Sequence, residues 1–592
     1  MGAGAGEGHP EVPASLSPIL DLLETPLVQA FARAVLHRVP PAQLALADPA
    51  TTADAVTDSF RFVDSRAPAE LRVRVYDPDV TLDGRRPVGS VVEVSCQDRQ
   101  FIVSSVTEEL RRLGHRVIRE LHPVFGCERD SRGALVAILP ARPATWRESF
   151  LQVELGARVT GAARPALVAA LEAVFADVFS ATGDYGAMRA QVEAAAASAR
   201  ASTGRFPADE AAEAGDLLEW LLEGNFVLSG CCRFLGPEGM VSDALGIVSG
   251  PDAALRRREP DLGPPALLRI VRTREVSTVH RQVPLHCIDL MEPEDAVFRV
   301  VGVFTRKASA EPAAVTPVLR FKLRRILELE DVVERSQDEA ALVSLFQALP
   351  KDQLFESDVA ALRRVLVELL TAEDEHDVRV LVRVDAPNQT VSALLSVPGE
   401  LYNPALRHRL ERFLLAQLDG DRVDVDVSLG DRPEALVRFL VHVPGPPPDQ
   451  PLDALERELR LLCRTWDQQV VAALDASAGE AGAGLARGWA GWFPEAYRDA
   501  VAPEAAVDDV MHLEELFAGE DRIKIVLSAG SDGGSTARLK VFTVGAGVEL
   551  SGFLPLLESL GLWAVEDRPY ALGGDETLAH LHDFGVKDPR GA

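Results

Sequence analysis

Residues 378–403 read VRVLVRVDAPNQTVSALLSVPGELYN, and this stretch decides the fold. Val378, Val380, Val382 and Val384 fall on alternate positions, with Arg379 and Arg383 among the intervening residues. That is the period-2 pattern of a strand with one apolar face. DAPNQT (385–390) carries turn residues, and a second strand runs through 394–397. Asn403 then stands where a helix N-cap belongs and Pro404 fits the first helical turn. Leu406, Leu410, Phe413, Leu414 and Leu418 form one apolar stripe. Val423, Val425 and Val427 predict a third strand, and Val437, Phe439, Val441 and Val443 a fourth. Two hairpins around one helix make a small sheet with helices on one face, a ferredoxin-like α+β unit.

Toward the N-terminus the alternation recurs. Leu71, Val73 and Val75 alternate with Arg72 and Arg74, and Val92, Val94 and Cys96 with Glu93 and Ser95. Both patterns predict strands with one buried face. A helix is expected around 103–113, β-like runs at 116–124, 135–139 and 150–155, and a helix over 164–180 opened by Pro165. Ala- and Glu-rich helical stretches fill 184–223, 316–372 and 451–517. PGPPPDQP (444–451), SAGEAGAG (477–484) and SAGSDGG (528–534) read as linkers. The whole is a string of small α/β domains on helices, with no short-period repeat.

The chain's 592 residues suit several domains of ~150 residues each. Its 47 % hydrophobic content is enough for real cores. Against 61 Lys and Arg stand 90 Asp and Glu, a net charge of −29 that repels phosphate backbones and anionic lipid. Nucleic-acid and membrane partners are therefore not expected. No uncharged run approaches the ~18 residues of a membrane span, and MGAGAGEGHPEVPASL lacks the basic opening of a secretory signal. Six Cys without a C-x-x-C pair read as reduced thiols, so a cytoplasmic location is expected.

Chemistry-bearing motifs are scarce. Gly545-Ala546-Gly547 lies between a strand and a helix, the setting of a dinucleotide loop. The third glycine position, however, is Leu550, whose bulk obstructs helix–strand packing. Gly482-Ala483-Gly484 fails likewise at Arg487. Both read as turns. His280, His286 and Cys287, Cys231 with Cys232, and His580 with His582 cluster without metal-ligand spacing, and packed side chains are the expectation. No G-x-S-x-G elbow occurs, and the acidic residues are scattered along helices as solvated faces. No catalytic, cofactor-binding or metal-ligating residue is assigned. Only six of the cations are lysines: Lys307, Lys322, Lys351, Lys524, Lys540 and Lys587.

Several strings, in order, resemble the large NAD-specific glutamate dehydrogenases of bacteria. They are VVEVSCQDRQFIVSSVTEEL (91–110), HPVF (122–125), LEWLLEGNFVLSG (218–230), STVHR (277–281), VGVFTRKA (301–308) and PKDQLFES (350–357). VRVLVRVDAPNQTVSALLSVPGELYN (378–403), FPEAYRDAVAPEAAVDDVMHLEEL (493–516), EDRPY (566–570) and HLHDFGV (580–586) continue the series. The resemblance implies several small ACT-like domains in series, joined by helical segments. It divides the chain into a helical arm (1–70), an ACT-like domain (71–182), a helical segment (183–224), a second ACT-like domain (225–315) and a helical segment (316–372). A third ACT-like domain (373–447), a helical segment (448–518) and a small α/β domain (519–592) follow.

The family reaction converts L-glutamate, NAD+ and water to 2-oxoglutarate, ammonium and NADH. The resemblance places its substrate lysines, catalytic Asp and NAD-binding domain in a C-terminal half, so no cofactor is expected on residues 1–592. The expectation is a regulatory and oligomerisation region: a homo-oligomer, with a small amino-acid effector and a separately encoded catalytic half as partners. By analogy with ACT domains, Asp98, Gln100, Phe101, Ser104 and Ser105 are the candidate effector contacts. The alternatives are a free-standing amino-acid sensor without a dehydrogenase partner, and a complete enzyme built on the 545–547 loop, which Leu550 argues against.

Overall fold

A computed structural model describes residues 15–587 except 38, 65, 68–69, 143, 237–238, 251–252, 258–259, 261–265, 371–377, 386–388, 430–433, 446–451, 479–487, 490, 530–536 and 574–577. Most of the three linkers, and Gly482-Ala483-Gly484, therefore lie outside the described residues. The protein is α+β, and its described residues form four small antiparallel sheets in series. It divides into two compact units, Met1–Leu366 and Val367–Ala592.

In the first unit, β1 (Arg72–Tyr76), β2 (Val91–Gln97), β3 (Val117–Leu121), β4 (Val124–Arg129), β5 (Leu135–Leu139) and β6 (Arg147–Leu155) form one sheet in the order β1-β2-β6-β4-β5. β3 pairs with the other half of β6. The N-terminal helices Pro26–Leu36 and Pro49–Asp64 cover one face, where Phe31 meets Phe60, Phe125 and Phe150 edge-on at 5.7, 6.0 and 5.8 Å. Helices Ile102–Arg112 and Ala163–Gly183 cover the other. With both faces covered, β2 departs from its expected pattern: Glu93 and Ser95 are as buried as Val92 and Val94. Glu93 tolerates this because Ser59, Arg74, Tyr76 and Gln152 all donate to its carboxylate.

The second sheet runs β8-β7-β11-β10-β9, from β7 (Phe226–Leu235), β8 (Met240–Gly246), β9 (Leu268–Val276), β10 (Pro284–Met291) and β11 (Val297–Phe304). It shares one core with the first: Val94, Leu151, Leu171 and Phe175 cluster with Val227, Cys232, Val301 and Val303. Helix Ala163–Gly183 is apolar and long enough to cross a membrane by length and composition. Its stripe of Leu167, Leu171, Val174 and Val178 instead lies in this core.

In the second unit, β12 (Arg379–Asp385), β13 (Thr390–Pro398), β14 (Arg422–Leu429) and β15 (Glu434–His442) pair in the order β12-β13-β15-β14. The expected cap is in place, Asn403 Oδ1 accepting from the Leu406 N–H at 2.9 Å. Leu406, Leu410, Leu414 and Leu418 are buried against the sheet. β16 (Ile523–Ala529), β17 (Ala537–Val544), β18 (Trp563–Leu572) and β19 (Ala579–Lys587) repeat this plan in the order β16-β17-β19-β18, with helix Leu550–Ser559 between the hairpins. Helices Trp466–Ala478 and Pro503–Ala518 cover the opposite face of that sheet.

Candidate functional site

β2 ends at Gln97, and the helix Ile102–Arg112 opens after Phe101, which takes φ 71° and provides no side-chain cap. The candidate effector residues therefore do sit at a strand–helix junction, but they divide between two places. Asp98 accepts from Ser149 Oγ at 2.7 Å, and its N–H donates to the Arg147 carbonyl. His122 Nε2 lies 3.1 Å from the same hydroxyl. Aspartate, serine and histidine thus meet with the serine in the middle, its proton committed to Asp98. That is the reverse of a nucleophile activated by histidine. Gln100 is exposed.

Phe101, Ser104 and Ser105 face a turn from the second sheet, the STVHR string. The His280 N–H donates to Ser105 Oγ at 2.9 Å, His280 Nδ1 lies 3.3 Å from Ser104 Oγ, and the imidazole packs 5.2 Å from the Phe101 ring. Burial, then the charges of Arg281 and Arg306, push this histidine below its ordinary range. Thr278 Oγ1 donates to Asp177 at 2.6 Å, and Gln282 Nε2 to Glu109 at 2.6 Å. The helix N-terminus is thus a joint between the two sheets, where the Phe101 ring and the Ser104 and Ser105 hydroxyls meet the His280 turn.

A concavity of about 170 Å³ lies between the N-terminal helices and the first sheet, lined by Gln43, Asp83, Arg119, Gln152 and Glu154 among others. Arg119 bridges Asp83 and Glu154, and Glu154 also accepts from the Val88 N–H at 2.8 Å. It is smaller than the usual ~300 Å³ or more of a ligand site.

The remaining candidates are packed. Cys231 and Cys232 are buried, and burial pushes their thiols up to about 12 and about 11. Among the described residues no three His, Cys, Asp or Glu side chains are placed to hold a metal. His582 pairs with Asp567 at 3.2 Å. The 545–547 loop is a bonded turn: the Gly545 N–H donates to Leu578, and a Cβ on Gly547 would stand 3.2 Å from the His580 ring.

Sequence reasoning missed the lysines. Lys322 is half-buried and donates to the carbonyls of Leu354, Phe355 and Ser357, each at 2.8 Å. Burial pushes its ammonium down to about 7, with Asp358 and Glu356 pulling the other way. Lys351 donates to the carbonyls of Ala308 and Glu311 beneath Trp220, and burial lowers it to about 8. Phe304 and Phe355 stack at 4.8 Å with Trp220 alongside. Three of the strings quoted above, 218–230, 301–308 and 350–357, thus meet in one packing joint. Lys307 donates to the Glu223 carbonyl, Lys524 pairs with Glu515, and Lys540 holds Asp509 at 2.6 and 2.7 Å. The signal was the rarity of lysine in an Arg-rich chain, without anything to say where each would go.

Sequence models of glutamate dehydrogenase match in one order: ACT1 domain (31–171), helical motif 1 (316–375), ACT2 domain (379–467), helical motif 2 (473–516) and ACT3 domain (523–592). The first, third and fourth sheets fall within the three ACT ranges, so ACT2 coincides with the domain counted third from the sequence. The second sheet lies outside all five. The chain is 27 % identical to the NAD-specific glutamate dehydrogenase of Halomonas elongata, over 89 % of this chain and 34 % of that protein. It is 28 % identical to that of Mycobacterium tuberculosis (87 % and 32 %) and 26 % to that of Pseudomonas aeruginosa (86 % and 33 %). It spans about a third of the length of these relatives.

Proposed function

Because the chain belongs to the large NAD-specific glutamate dehydrogenase family, we propose that residues 1–592 form its N-terminal regulatory and oligomerisation region. The order of ACT and helical-motif segments carries this reading. The oxidation of L-glutamate by NAD+ is assigned to groups outside these residues. Glutamate binding needs free cationic side chains and hydride transfer a bound nicotinamide. Five of the six lysines are already engaged by carbonyls or carboxylates. A cytoplasmic location accompanies the reading.

Regulation is assigned to an amino acid at the junction of Asp98, Gln100, Phe101, Ser104 and Ser105. The helix N-terminus attracts its carboxylate and Asp98 its ammonium group. Because the His280 turn packs on Phe101, Ser104 and Ser105, binding there moves the joint between the first two sheets. A ligand at ~100 Kd stabilises the fold by ~2.7 kcal/mol. A thermal-shift screen of the common amino acids should give at least one upward shift, weakened by Asp98→Ala. No shift at millimolar concentration removes the effector role and leaves a scaffold. Light scattering should return a multiple of the 63.8 kDa chain mass; a monomer at high concentration removes the oligomerisation role.

A further inference from the structure

β3 and β6 run antiparallel with Arg119 opposite Glu154 and Leu121 opposite Gln152, so these four side chains share one face of the first sheet. All four line the 170 Å³ concavity. Val39, Pro40 and Gln43 of the N-terminal arm, with Thr81 and Asp83, add to the lining.

The polar groups around it are unequally satisfied. Gln43 Nε2 and Thr81 Oγ1 donate to Asp83, and Arg119 pairs with it, so that carboxylate is complete. Gln152 is committed to the Leu82 N–H and to Glu93. Glu154 is not complete. Its side chain is 6 % exposed and Oε1 accepts from the Val88 N–H at 2.8 Å, yet among the described residues Oε2 has only Arg119 Nη2, at 3.5 Å. That contact is an ion pair without a hydrogen bond, an unfavourable state for a buried carboxylate oxygen. Arg119 is 31 % exposed, and its guanidinium carries five N–H donors, more than these two contacts use.

Two half-used groups of opposite charge, side by side on a cavity wall, define the chemistry of a ligand. A zwitterion entering between them donates from its ammonium group to Glu154 Oε2 and accepts on its carboxylate from Arg119. Two charge-assisted hydrogen bonds then replace one loose contact. The volume matches about six water-sized groups of ~30 Å³, too little for a cofactor but enough for glycine, alanine or serine. Asp83, Glu120 and Glu154 stand against Arg119 alone in the lining, which disfavours an acidic side chain on the ligand. We propose that the concavity is a seat for a small neutral α-amino acid, held by Glu154 and Arg119, that ties the N-terminal arm to the first sheet. This seat is separate from the junction of Asp98 to Ser105 and does not depend on the regulatory reading of it.

The test is a calorimetric titration of the full chain with glycine, L-alanine and L-serine. At least one should give saturable heat, and methylamine and acetate, which each carry one half of the zwitterion, should give none. At about ten times Kd the ligand should slow amide hydrogen exchange in 42–45 and 81–88 about tenfold. Glu154→Gln, which keeps Oε1 for the Val88 N–H, should weaken binding at least about tenfold. The series of ligands on the unaltered chain decides the matter even where that variant does not fold. Methylamine bound as tightly as the amino acid overturns the proposal and leaves a cation site only. Binding that Asp98→Ala weakens and Glu154→Gln does not also overturns it, and leaves the ligand at the junction. No heat from any of the three at millimolar concentration overturns it too, while the junction is still decided by the wider thermal-shift screen.

Discussion

Glu148→Ala should destabilise the first unit by roughly 3–5 kcal/mol, because it strands two buried guanidinium groups. Arg66 Nη2 lies 2.6 Å and Arg129 Nη2 2.7 Å from the Glu148 carboxylate, and the three side chains are 0 %, 4 % and 0 % exposed in the order Arg66, Arg129, Glu148. Trp146 Nε1 donates to the same group at 3.2 Å. Burial by itself would raise the Glu148 carboxyl, but the Arg129 hydrogen bonds and the Arg66 charge outweigh it and hold the group at about 2. The folded state therefore binds its proton later than the unfolded chain, whose value is near 4.5. This contribution is complete above pH 4.5 and is lost as the pH falls through about 2. A shift of that size is worth ~3 kcal/mol, in line with the mutational figure. The melting-temperature gap between parent and variant should be several degrees at pH 7 and close toward pH 2. A gap of under about 1 °C at pH 7 contradicts the buried ion cluster.

Gly302→Ala should destabilise the second sheet by about 3 kcal/mol or more through overpacking. Gly302 sits where the pairing of β11 with β7 shifts register, and a Cβ there would lie 2.0 Å from the Val227 carbonyl oxygen and 2.6 Å from the Phe226 ring. Backbone cannot yield as a side-chain tip does, so the strands must part. Gly183→Ala, at the end of a helix with open space around it, is the matched control and should be neutral or slightly stabilising. Equal melting temperatures for the two variants would remove the close approach.

The third sheet was legible because its signals are local: alternating valines, a turn, and Asn403-Pro404 opening a leucine stripe. In sequence β2 reads as a strand with one wet face because Glu93 and Ser95 look like solvent residues. What buries Glu93 is a set of donors as distant as Ser59 and Gln152, which no window of sequence brings together. The shared core of the first two sheets was hidden for the same reason, since Leu171 and Phe175 meet Val301 and Val303 only through long-range packing. The repeat of the third sheet's plan in the fourth was masked by composition. β18 contains Asp567 and Pro569, which an edge strand tolerates but which do not read as alternation. At the candidate site the strand–loop–helix order was legible and the His280 turn was not, because its approach spans about 175 residues of chain.

An NADH fluorescence titration of the purified chain tests most directly the proposal that residues 1–592 regulate and assemble without carrying out the dehydrogenase chemistry. The account predicts no saturable quenching and no NAD-dependent oxidation of glutamate. Saturable quenching that is abolished by Gly547→Trp would contradict it and place a nucleotide at the 545–547 turn.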